Sequence, residues 1–138
     1  MLGRKSFTQD ELDAARSAVA ELLATYRALT TGLPASADTA REAFEAPFFA
    51  TATLALDRRF VHRLRMVTGK DGTPLNEVEM IVDSLMNNGG VLRDSTAITY
   101  VPEQSVVKLK IGDPVRLTAD DFERLSAAVL DEIERKFL

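Results

Sequence analysis

Cysteine is absent from the chain, and histidine occurs once, at position 62. The first absence removes disulfides, thiolate zinc sites and cysteine nucleophiles together. The second leaves His62 as the one imidazole for any acid–base or metal role. No run of about 18 apolar residues is present, so no membrane span is expected. The opening "MLGRKSFTQDEL" lacks the apolar core of a signal peptide. A cytoplasmic, soluble protein is the resulting expectation. No serine sits in a Gly-x-Ser-x-Gly elbow. "GKDG", at 69–72, falls short of a phosphate-binding loop. That motif needs an upstream glycine after a strand, then Gly-Lys followed by Ser or Thr, whereas Asp71 follows Lys70 here. No cofactor, metal or catalytic residue is assigned on these grounds.

What is present describes an ordinary folded unit. At 138 residues with 46% hydrophobic and 28% charged residues, the chain suits one globular domain over 1–138 and excludes extended disorder. Formal net charge is −4. One stretch runs against that sign. "RRFVHRLRMVTGK" carries Arg58, Arg59, Arg63, Arg65 and Lys70, with His62 among them and no acid between. Without those five cations the chain holds 12 basic against 21 acidic residues, from totals of 17 and 21. The basic stretch is a local feature of an acidic protein.

Periodicity places about four helices. Thr8 and Glu11 form a capping-box pattern, with Phe7 and Leu12 as its hydrophobic staple. Leu12, Ala15, Val19, Leu22, Leu23, Tyr26 and Leu29 recur at helical spacing and are expected inward. "TTGLPASADT" breaks that helix. A second helix is expected from about Asp38 to about Val67, kinked or restarted at Pro47. Its inward face holds Phe49, Thr53, Leu56, Phe60, Leu64 and Val67, with Arg58, His62 and Arg65 opposite. Gly69 ends it, and Thr73 and Pro74 begin a third helix carrying Leu75, Val78, Val82, Leu85 and Met86 inward. Thr118 with Asp121 opens a last helix with Phe122, Leu125, Val129, Ile133 and Phe137 inside.

Between the third and last helices the period changes. "TAITYV" and "VVKLKI" alternate as strands, "PEQS" reads as their hairpin turn, and "VRL" as a short third strand. The fold class expected is therefore α+β, mainly helical, with a small antiparallel sheet of two or three strands. A sheet that thin must pack on the helices or extend across a partner subunit, and together with the many apolar residues of a short chain this points to a homo-oligomer, a dimer in the simplest case.

Arg58, Arg59, His62, Arg63, Arg65 and Lys70 form the candidate anion-binding set. Lys70 stands near the next helix N-terminus, which favours anions. Against that, Glu77, Glu79 and Asp83 on the third helix, and the acids of the last, are natural intramolecular partners. No aromatic interleaves the basic face, which weakens a stacking role with single strands. His62 with Glu79 or Asp83 would make an open metal or acid–base site, but the arginines would repel a cation. "FVHRLRMVTGKDGTPLNEVEMIVDSLMNNGGVL" and "KLKIGDPVRLTADDFERLS" together resemble a family of small bacterial proteins with no assigned activity. The likeness spans about 42–134 and implies no functional residue. The function expected is a non-catalytic protein-interaction or structural protein with an unknown protein partner. Nucleic-acid or polyanion binding is the alternative, and an enzyme using His62 is third.

Overall fold

The computed structural model describes residues 6–64 and 67–138. Four α-helices carry the fold: α1 (Gln9–Thr31), α2 (Asp38–Arg59), α3 (Pro74–Asn87) and α4 (Ala119–Lys136). Short 3-10 turns lie at Ala35–Ala37, Val61–Leu64 and Pro102–Gln104. Helix α1 packs on α4, α2 packs on both α3 and α4, and α3 also meets α4. Phe49, Leu12, Leu64, Leu75, Phe122 and Ile133 are among the fully buried side chains where these helices meet. None of the helices is long and apolar enough to cross a membrane, among the described residues.

The N-terminal caps follow from local chemistry. Thr8, Thr73 and Thr118 each accept a bond from the backbone N–H three residues on. Glu11, Asn76 and Asp121 reach back to the cap N–H, which satisfies donors that a helix start leaves unpaired. Helix α2 runs unbroken through Pro47. It ends at Arg59, earlier than the periodicity suggests, because Phe60 leaves helical geometry at φ −134°. The 3-10 turn that follows sinks Val61 and Leu64 into the core.

The expected β-sheet is absent among the described residues, so the fold is helical and not α+β. The one bridge joins Val91 to Pro114. Around it, Leu92 N–H donates to Asp113 O and Val115 N–H to Gly90 O. This antiparallel contact lies outside the hairpin that the alternation suggested. Three interactions divert "TAITYV" and "VVKLKI" from pairing. Pro102 offers no donor and starts a 3-10 turn. Lys108 takes a left-handed φ of 56°, which breaks an extended run. The Glu77 carboxylate accepts the N–H groups of Val106 (2.8 Å) and Val107 (3.0 Å), so both are engaged by α3 instead of a second strand. Tyr100 Oη donates to Leu109 O at 2.5 Å, and Ser105 Oγ donates to Pro102 O while accepting from Lys108 N. The segment is a loop tied by side chains to itself and to α3.

Gly72 closes the approach to α3. Its φ is +83°, and a Cβ there would lie 2.4 Å from Thr99 O. Asn76, fully buried, accepts from Gly72 N and Thr73 N and donates to Gly69 O. One buried amide side chain thus organises the whole turn before α3.

Candidate functional site

The basic stretch and the surface beside it form the candidate site. Arg58 and Arg59 end α2, where cations favour the helix dipole. His62 and Arg63 stand in the 3-10 turn. All four side chains are exposed. None forms an ion pair or side-chain hydrogen bond with a carboxylate among the described residues. Arg65 lies outside the described residues. Lys70 differs from the others, with Nζ 3.7 Å from Glu79 Oε2.

Several of the acids expected to neutralise the arginines of the basic stretch have other partners among the described residues. Arg16 on α1 reaches Asp131 and Glu134 on α4, both at 2.9 Å. Arg27 reaches Asp120 and Glu123 of the same helix, at 2.8 and 3.2 Å. Side-chain bonds to these arginines hold the Glu123 and Glu134 carboxyls below the usual range. Arg93 forks onto Asp83 at 2.8 and 3.0 Å. Thr68 Oγ1 donates to Glu79 at 2.9 Å. The acidic face of α4 therefore belongs to α1, and the described cations of the basic stretch other than Lys70 remain without a carboxylate.

Two open clefts flank α2 and α3. One, of about 340 Å³, is lined by Lys70, Glu79, Asp83, Met86, Arg93 and Ile98. Its charged groups pair with one another as described. His62 is not among its walls, and no cluster of three His, Cys, Asp or Glu exists among the described residues that could hold a metal. The His62–Glu79–Asp83 arrangement is therefore not assembled.

The second cleft, also about 340 Å³, runs between α1 and α2 and is mostly apolar. Ala15, Leu56 and Phe122 form its buried floor; Val19, Leu22, Phe48 and Ala52 form half-buried walls; Arg59 lines it too. Sequence periodicity assigns Val19 and Leu22 to the core, and both pack against it while staying half-buried at the cleft. Leu29, from the same stripe, is 70% exposed. Phe44, one turn before Phe48, is 51% exposed and stacks on it at 4.9 Å. Tyr26 anchors this aromatic group, its hydroxyl donating to Glu45 at 2.5 Å. Burial, then that contact, raises the Tyr26 pKa.

Sequence reasoning missed this groove. The α1 apolar set fills an ordinary stripe of about 120° at helical spacing, so its pattern carried no signal of an open groove. It also missed Asn76 and Glu77, which organise the approach to α3. The Thr73–Asn76 spacing was a capping signal that could have found the first. Compared with protein-family models, curated proteins and solved structures, the chain matches none.

Proposed function

We propose that this chain is a non-catalytic interaction protein that engages another protein through the α1–α2 face. The observation that carries the reading is the open apolar groove walled by Val19, Leu22, Phe48 and Ala52. Exposed contiguous apolar surface next to charged residues is characteristic of contact sites. One of the two grounds for self-association was a thin sheet in need of cover, and that ground is gone with the sheet. The groove now supports an interaction role instead.

A cytoplasmic location is part of the proposal, and cell fractionation tests it. The groove is tested by Ala52→Trp, which fills it from one wall. Sedimentation and partner-binding measurements on wild type and variant should differ while the circular dichroism spectra coincide. Identical association behaviour in the two proteins would remove the reading.

A second reading has its own observation. Arg58, Arg59, His62 and Arg63 are exposed and lack carboxylate partners among the described residues, as a polyanion footprint requires. Titration with duplex and single-stranded oligonucleotides across a salt series tests it. Neutralised phosphates release counterions, so genuine binding falls steeply as salt rises.

A further inference from the structure

We infer that the α1–α2 groove receives an amphipathic helix of a partner protein whose polar end is acidic. The inference rests on the interaction reading above and names the chemistry of the partner. The groove lies between two helices and is walled by side chains of both, Val19 and Leu22 from α1 and Phe48 and Ala52 from α2. Such a channel takes a third helix by its apolar stripe. From Phe48 to Arg59 it follows α2 for about 16 Å at helical rise, which matches about three turns of a docked helix. Ala52 and Ala55 present little side chain along this path and allow close approach.

Charge decides what kind of helix. Arg59 lines the groove itself. Thr51, Ala55 and Arg58 follow at helical spacing on the same side of α2, and Thr51 and Ala55 also line the groove. Neither arginine has a carboxylate partner among the described residues. At the other end the groove is walled by Phe48, on which the Phe44 ring stacks. One end is thus cationic and the other aromatic. The complementary ligand has apolar anchors over most of its length and carboxylates in the turn that lands on Arg58 and Arg59. A second copy of this face fits less well, because it brings two more exposed arginines that lack a carboxylate partner among the described residues, and the lining of the groove holds no acid to receive them.

The probe is a fluorescein-labelled synthetic helix of about 15 residues. Leucines occupy i, i+3, i+4 and i+7, and glutamates fill one terminal turn. A matched peptide carries lysines there instead. Fluorescence anisotropy with the full chain should show binding of the acidic peptide that weakens with salt. Arg58→Glu with Arg59→Glu should weaken it by about tenfold or more and should transfer preference to the lysine peptide. Ala52→Trp should weaken both peptides. The swap of preference cannot arise from misfolding, so it stands even if Ala52→Trp disturbs packing. Absence of binding up to about 100 μM, or equal binding of both peptides, would overturn the inference. So would an oligonucleotide that outcompetes the acidic peptide and depends on the arginines but not on Ala52. If the chain instead forms a dimer that Ala52→Trp dissociates, the acidic-helix inference fails and the interaction reading survives. If neither peptide nor self-association responds to Ala52→Trp, both fail.

Discussion

Removing the Glu77 carboxylate tests the account of the 99–110 loop most directly. Glu77 is 3% exposed and accepts from Val106 N at 2.8 Å and Val107 N at 3.0 Å. Hydrogen bonds to a charged group contribute about 1.5–3 kcal/mol each, so two give a gross value of about 3–6 kcal/mol. Burying the carboxylate opposes this, and the net loss for Glu77→Ala should be about 2–4 kcal/mol. Glu77→Gln keeps one acceptor and turns an NH2 group toward the other amide; one unsatisfied N–H costs about 1–3 kcal/mol. Urea unfolding followed by circular dichroism measures both, and amide exchange at Val106 and Val107 localises the effect. Fast exchange confined to those amides in the variants is the expected result. Wild-type stability in Glu77→Gln with unchanged protection would refute the argument that this carboxylate, and not strand pairing, holds the segment.

The pH dependence follows from the same group. Burial pushes the Glu77 pKa up, with the Val107 and Val106 bonds and Lys108 pulling it back. Its folded value is therefore above its unfolded one. The stability linked to this shift is fully present below the ordinary carboxyl value and is lost as pH rises through the raised value. Relative to Glu77→Gln, the wild type should gain stability as pH falls through that window. Glu123 and Glu134 are shifted the other way, so their contribution is present above the ordinary value and lost as pH falls. Only the difference between wild type and variant isolates Glu77, and a difference of opposite slope would reject the sign.

Other outcomes follow from single contacts. Gly72→Ala should cost more than the usual penalty of about 1 kcal/mol for losing positive φ, because its Cβ meets Thr99 O at 2.4 Å; equal melting temperatures would contradict this. Asn76→Ala should destabilise by about 2–4 kcal/mol, since three backbone groups lose a buried partner, and a loss confined to a few tenths would show the turn to be held otherwise. Phe49→Ala, at the centre of the aromatic cluster, should cost about 3–5 kcal/mol by chemical denaturation. Arg16→Ala should change stability by at most about 1 kcal/mol, because its carboxylate partners are largely exposed; a larger loss would mean the α1–α4 pairs act as a network.

Local rules were enough for much of this protein. Two capping boxes, the Thr73 cap with the Pro74 helix start, and the inward stripe of α4 from Phe122 to Ile133 can be read directly, because each depends on residues within a few positions. The basic stretch was expected on a helix reaching about Val67, but α2 ends at Arg59, and His62 and Arg63 stand in the 3-10 turn. Everything that depended on a distant neighbour was decided by the tertiary structure. "TAITYV" and "VVKLKI" have the alternation of strands, yet Glu77, about 30 positions away, takes the amides that a ladder would need. The arginines had carboxylates within plausible reach on α3 and α4, but Arg16 and Arg27 of α1 occupy the α4 acids first. Val19 and Leu22 carry the helical period of core residues and do pack against the core, but periodicity shows which face a side chain occupies and not how completely it is covered. That cover is a property of how α1 and α2 sit together, and it leaves the groove open with Arg59 in its wall.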